Sequence, residues 1–286
     1  MRFFHTLWTA PLKPEHIAPT VANFTLSATF IKNIPGAEIV LHTDDFGYRL
    51  LNHIKYDKIY VDLNAIDTNI GNYFWAYGKL FATKKEPIGS IHIDGDVFLQ
   101  NIQLSKAFDG TVDIVVQSTE DDSTKKDDCY LLTQNVYEHF EVPSKMDIRW
   151  PYAYNCGVVQ INNQELKKTY LNTYFKAVKN GIKDGDLPNY IIYENLKGSG
   201  KVIMDIVAEQ QFLHQICTEN DYKVRRILYK DDLNIQANEI GYCHLCGPEK
   251  YNQFEIVNQT LHNMNYEQYY LMHGKDLFIQ YEKRMK

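Results

Sequence analysis

The sequence predicts an α/β protein in which a β-sheet is covered by helices. Two observations predict it. Short apolar runs rich in β-branched and aromatic residues alternate along the chain with segments of helical period. With 286 residues, 44% of them hydrophobic, the chain is also large enough to bury a substantial core as one domain. No internal repeat is visible.

Taken in order, the run Phe3–Leu7 (FFHTL) reads as the first strand, followed by a helix over about 15–33. Glu38–Thr43 (EIVLHT) and Lys58–Val61 (KIYV) read as strands, then a helix over about 69–84 leads into the strand Ser90–Ile93. Asp113–Gln117 and Gly157–Ile161 are further strands, with helices expected over about 163–180 and 204–218. Ile240–Leu245 is the last strand, before a helix over about 255–270. Ser118–Asp128 (STEDDSTKKDD) contains no apolar residue and reads as a loop, as does Lys197–Lys201 (KGSGK). Such loops are usually solvated surface; closing over a ligand is the functional alternative.

A formal net charge of −6 argues against general nucleic-acid binding, which needs a basic surface to displace counterions. The opening MRFFHTLWTAPLKP is interrupted by His5 and Pro11 and too short in apolar residues for a signal peptide, and no later run approaches a transmembrane span. A cytoplasmic protein is expected. The five cysteines, Cys129, Cys156, Cys217, Cys243 and Cys246, are odd in number and scattered, unlike a disulfide framework. Cys243 and Cys246 form a CxxC, which raises zinc or redox chemistry. No second CxxC follows, so two small buried residues flanking His244 are the simpler reading.

The chemistry concentrates in two runs, IHIDGDVFL at 91–99 and HLCGPEK at 244–250. Asp94 and Asp96, one residue apart at the exit of a strand, leave on the same side and can face one hard cation. Two carboxylates with the imidazole of His244 suit manganese or magnesium, with positions left open for diphosphate oxygens. Gly247 permits close backbone approach, and Lys250 offers a point charge for a phosphate. An Asp-x-Asp alone is common in surface turns; if the fold brings the two runs together, they form a divalent-cation site with a phosphate-binding lysine beside it. Because ligands of open α/β sheets bind at the carboxyl ends of strands, Asp94 and Asp96 stand where a ligand is expected. His92 alternates to the face opposite Ile91 and Ile93 and is read as packing.

Two further constellations follow. RWPYAYNCGVVQIN at 149–162 sets Asn155 and Gly157 before an apolar strand, where an amide can both donate to and accept from sugar hydroxyls. Trp150, Tyr152 and Tyr154 beside it are either packing residues or a stacking wall for a sugar face. AEQQFLHQIC at 208–217 opens with Glu209, Gln210 and Gln211, which either answer the free amides of a helix start or belong to an active site. His214, one turn on, has nothing at metal spacing and is read as a helix-face histidine.

In this order the four runs resemble those of the retaining glycosyltransferases of family 8 and their relatives with the GT-A fold. Asp94 and Asp96 match the family's DxD, Asn155-Cys156-Gly157 is similar to its Asn-Ala-Gly, Glu209-Gln210-Gln211 resembles its Asp-Gln-Asp, and His244 through Lys250 matches HxxGxxK. The resemblance implies a Rossmann-like mixed sheet flanked by helices, in which about 1–120 form the nucleotide-sugar-binding half and about 121–286 the acceptor and metal-completing half. It implies a hexose transferred with retention from a nucleotide diphosphate, a uridine one, to a carbohydrate or other hydroxyl acceptor. Asp94, Asp96 and His244 would hold manganese or magnesium, Lys250 would contact the diphosphate, and Asn155 and Gly157 the donor sugar. Gln210 would stabilise positive charge on the sugar ring. The sequence departs from the pattern in three places. FFHTLWTAP ends the first strand with Thr6 rather than an aspartate for the nucleobase, Lys79 is the nearest cation where an arginine is common, and Gln211 replaces an acid. Two alternatives remain: an inverting GT-A enzyme with Glu209 as general base, or a catalytically silent binding or scaffold protein of the same fold.

Overall fold

In the structure of the protein, a computed structural model, the described residues are 1–71, 74–121, 146, 150–181, 205–229, 233–247 and 249–264. In chain order, apart from short 3-10 turns, they form β1 (Arg2–Leu7), α1 (Ile17–Lys32), β2 (Glu38–Thr43), α2 (Asp45–Leu51), β3 (Lys58–Val61), α3 (Thr68–Gly71), α4 (Tyr77–Lys85), β4 (Ile91–Ile93) and β5 (Val97–Leu99). These lead to β6 (Ile114–Asp121), β7 (Tyr152–Ile161), α5 (Gln164–Gly181), α6 (Phe212–Glu219), β8 (Val224–Arg226), α7 (Leu233–Ile240), β9 (Tyr242–His244), α8 (Glu249–Asn252) and α9 (Phe254–Asn263). The chain is α/β, with parallel and antiparallel strand pairs and helices packed on them.

Two compact units are interleaved in sequence. The first takes Met1–Ala65, Ser90–Phe108 and the described residues of 230–286. Its strands run in the order β3-β2-β1-β4, every pair parallel, with Phe3 opposite both Ile39 and Ile91. The apolar residues of β1, β2 and β4 are buried on both faces, as expected of parallel strands. This order is that of a Rossmann half-sheet, whose ligands bind at the switch point outside the carboxyl ends of the strands. The carboxyl end of β4 is Asp94. Helix α1 is buried along nearly its whole length, and Ser27 from it donates to Val97 O at 2.7 Å. The His5 ring bridges Tyr56 OH and Ser27 Oγ at 2.9 and 3.1 Å. Burial pushes its pKa down to about 3 against the pull of Asp96, so this histidine is a neutral core residue.

The second unit comprises Ile66–Gly89 and the described residues of 109–229. Here β6 pairs antiparallel with β7 and parallel with β8, with a bulge between Val116 and Ser118. Helices α5 and α6 bury Leu166, Tyr170, Tyr174, Phe212 and Leu213 against this sheet. The expected loop after Gln117 begins later than its composition suggested, because β6 continues through Ser118–Asp121 paired with β7. Residues 122–128 and 197–201 lie outside the described residues.

Other boundaries also shift. The helix expected over 69–84 is two helices, α3 and α4, and the buried Asp205 carboxylate accepts from Ala76 N at the entry to the second. The helix expected from 204 contains one turn of π-helix over Val207–Gln211 before α6. The last strand is shorter, preceded by α7, because Gly241 at φ +70° turns the chain between them. Five elements escaped the periodicity argument. They are β5 and β8, three residues each, and α2, α7 and α8, of seven, eight and four residues, all too short for a helical or strand period to stand out.

Candidate metal centre

Two sequence-distant runs meet in the first unit because β5 and β9 pair antiparallel, with Val97 opposite His244, Phe98 opposite Cys243 and Leu99 opposite Tyr242. The ladder continues through Leu245 N, which donates to Asp96 O at 3.0 Å. That register sets His244 beside the turn Asp94-Gly95-Asp96. One ligand atom from each of Asp94, Asp96 and His244 lies within 4.8 Å of the others, and among the described residues this is the group of three or more His, Cys, Asp or Glu side chains with that spacing. The glycine inside the Asp-Gly-Asp is a packing requirement. A Cβ on Gly95 would stand 2.2 Å from the Phe24 ring of α1, so no other residue fits between the two carboxylates without displacing that buried ring.

Asp96 is buried and carries the strongest electrostatics of the site. Lys250 Nζ lies 2.9 Å from Asp96 Oδ2, and His244 Nε2 lies 3.7 Å from Oδ1. Burial alone would raise the carboxyl pKa, but the Lys250 ammonium and His244 outweigh it and hold it below the ordinary carboxylate value. Conversely, burial would lower the Lys250 pKa, and Asp96 raises it. Asp94 is more open, with His92 Nδ1 3.8 Å from its Oδ1. His92 itself is buried with its ring edge-on to Phe4, in keeping with a packing role.

Lys250 is held by α8, whose Lys250 carbonyl accepts from Asn23 Nδ2 of α1 at 2.9 Å, while Tyr251 stacks on His16 at 3.6 Å. Gly247, at φ +59° with open space where a Cβ would be, makes the turn between β9 and α8. The donor set fits a hard divalent cation: two carboxylates and one imidazole, one carboxylate buried and ionised. The thiols do not join it. Cys243 is half-buried, and burial followed by the Asp96 charge raises its pKa, which disfavours the thiolate that zinc or redox chemistry requires. Cys246 is exposed and Cys243 only half-buried, so the expectation of two buried cysteines flanking His244 is not met: Cys243 lies in β9 and Cys246 on the turn that leads from it to α8.

At the carboxyl end of β1, Thr6 has a buried hydroxyl and Leu7 O accepts from Thr43 Oγ1 at 2.7 Å. Asp44, after β2, accepts from Thr9 N and Thr9 Oγ1, both at 2.7 Å, and caps α2 through Gly47 N at 2.8 Å. Its place three residues before a glycine at a helix start is a capping signal legible in the sequence.

The remaining expected site residues lie in the second unit. Lys79 donates to Glu209 Oε1 at 2.7 Å and to Cys156 O at 3.0 Å, with the Glu209 side chain 2% exposed. Gln210 is half-buried on the π turn, while Gln211 is buried and donates to Trp150 O. Asn155 and Gly157 lie inside β7 rather than before it. Asn155 Nδ2 donates to Glu120 Oε1 at 2.8 Å and its Oδ1 accepts from Gly157 N at 3.1 Å, which leaves one amide hydrogen and one lone pair for a ligand.

Fold and site together define an α/β protein with an Asp-Asp-His cluster at the carboxyl end of a Rossmann-type strand order. The chain belongs to DUF6734, a family of unknown function, whose profile matches residues 1–274. No curated protein sequence matches it. Among solved structures it is similar to mouse xyloside xylosyltransferase 1 in its apo form, at 15% identity and a TM-score of 0.39 over 79% of this chain and 84% of that one. No helix among the described residues is long and apolar enough to cross a membrane.

Proposed function

We propose that this protein is a cation-dependent glycosyltransferase that moves a hexose from a nucleotide diphosphate, a uridine one, to a hydroxyl acceptor with retention. The observation that carries the proposal is the convergence of Asp94, Asp96 and His244 on one point with Lys250 beside them. Manganese or magnesium held by these three residues would supply Lewis-acid charge for the departing diphosphate. The protein's own groups do the rest. Asp96, kept ionised by Lys250, offers a charged oxygen at neutral pH. Lys250, whose ammonium now answers Asp96, would be free to turn to a phosphate oxygen when that carboxylate holds a cation, as the resemblance to HxxGxxK implies. Stabilising the leaving group electrostatically is the main catalytic contribution. The role of Gln210 in countering positive charge on the sugar ring rests on its motif alone.

The inverting alternative is disfavoured by the placement of Glu209, whose carboxylate is 2% exposed and already bonded to Lys79, away from where an acceptor hydroxyl in solvent could reach it. Thermal stabilisation by a panel of nucleotide-sugars, with and without manganese, tests the proposal. Uridine diphosphate sugars should raise the melting temperature only with the metal, and they should be hydrolysed slowly without acceptor. Stabilisation independent of manganese, or none with any nucleotide-sugar, would refute it.

A further inference from the structure

The second unit has a cleft that none of the proposed metal ligands lines, built around the aromatic residues of β7. It is lined by Thr119 of β6, Tyr152 and Tyr154 of β7, Val224 and Arg226 of β8, and His214 of α6, with a volume of about 360 Å³. Residues two apart on a strand share a face, so this is one face of the three strands closed on one side by a helix. That volume is at the low end of the roughly 300–1,000 Å³ of small-molecule sites, which suits one or two rings rather than a polymer.

Its lining is aromatic and cationic. The His214 ring stacks on Tyr152 with centroids 5.5 Å apart and lies 4.4 Å from Tyr154. Trp150 Nε1 donates to His214 Nδ1 at 3.0 Å. An indole N–H only donates, so Nδ1 is the acceptor. Burial, then the Arg226 charge, take the histidine pKa down to about 4, which leaves a neutral ring with its proton on Nε2. The cleft therefore presents an imidazole N–H, two phenols, a threonine hydroxyl and the Arg226 guanidinium. Among the described residues no carboxylate lines it and no acid pairs with Arg226. Tyr152 keeps 36% of its surface open.

We propose that this cleft binds a saccharide carrying an anionic group, a sugar acid or a sugar phosphate. The aromatic wall takes the apolar face of the pyranose ring, the hydroxyls and the imidazole N–H take its hydroxyl groups, and Arg226 takes the carboxylate or phosphate in a forked pair. A neutral sugar would leave the guanidinium unanswered. A bare anion would leave the aromatic wall unused.

The test is isothermal titration of the full chain, in EDTA so that the cation site plays no part, with glucuronic acid, glucose 6-phosphate, methyl glucoside, inorganic phosphate and benzoate. Arg226→Gln and Tyr152→Ala, both at exposed positions, are compared after a thermal melt shows each is folded. Saturable binding of glucuronic acid, glucose 6-phosphate or both is expected, at least tenfold tighter than methyl glucoside. Arg226→Gln should weaken it at least tenfold and Tyr152→Ala several-fold. Binding of glucuronic acid alone identifies a carboxylate ligand and of glucose 6-phosphate alone a phosphate ligand. The proposal is overturned if neither binds, if phosphate or benzoate binds as tightly as the sugars, or if Arg226→Gln binds like the wild type. Because no metal is present, each of these results is independent of the proposed transfer reaction.

Discussion

Replacing Lys250 by methionine keeps most of the side chain's bulk and removes its charge. The partner carboxylate of Asp96 is 7% exposed, the lysine 36%, and they stand 2.9 Å apart. Stranding one member of a fully buried pair costs about 3–5 kcal/mol, whereas a surface pair is worth about 0–1 kcal/mol. With one partner buried, the other a third open to water, and His244 Nε2 3.7 Å from the same carboxylate, an intermediate loss of about 2 kcal/mol is expected. In a chain of this size that lowers the melting temperature by about 4–8 °C. The assay is thermal unfolding of both proteins in EDTA and then in excess manganese chloride. In the wild type the cation must displace Lys250 from Asp96; in the variant it fills an empty place. Manganese should therefore stabilise Lys250→Met more than the wild type and close most of the gap. A deficit of the same size with and without manganese would refute the argument that lysine and cation answer the same carboxylate.

Burial, then the Glu209 carboxylate, push the Asp205 carboxyl up to about 8 from 3.8. Between those values the unfolded chain releases a proton that the folded chain keeps, so this group's contribution to stability is complete below the window and falls as pH rises through it. Asp205→Asn can still accept from Ala76 N and can donate to Tyr174 OH, so urea melts from pH 4 to 8 should show a flatter decline than wild type; an unchanged slope would assign it elsewhere. Changing Cys243 and Cys246 together to serine should leave manganese affinity within about threefold, a ratio worth less than 1 kcal/mol, whereas stoichiometric zinc lost with folding would reveal a structural metal. In steady-state kinetics, Gln210→Ala should lower turnover more than donor affinity, because charge on the ring develops only in the transition state; a change in donor affinity alone would argue against that role.

How much of this was legible in the sequence depends on the length over which a signal extends. The long helices α1 and α5 stand close to where periodicity sets them, and the strands β1 to β3 where short runs of β-branched and aromatic residues between turn residues set them. Asp94, Asp96 and His244 were legible as candidate ligands by residue type and spacing. Their meeting was not, since it depends on a three-residue strand pairing, Val97–Leu99 with Tyr242–His244, that carries no period of its own. The need for Gly95 was hidden for a similar reason: it is set by Phe24, 71 residues earlier in sequence. The ion pairs of Lys250 with Asp96 and of Lys79 with Glu209 are tertiary facts, and no local pattern announces them. Nor did the sequence separate the aromatics of β7 from ordinary core, because a stacking wall is defined by what it leaves uncovered.

Calorimetric titration of manganese into the wild type, Asp96→Asn and His244→Ala, each shown to be folded, tests the central claim most directly. One ion per chain is predicted for the wild type, with binding weakened at least tenfold in each variant, because each loses a direct ligand. Absence of binding to the wild type, or affinity unchanged in both variants, would contradict a cation site at Asp94, Asp96 and His244.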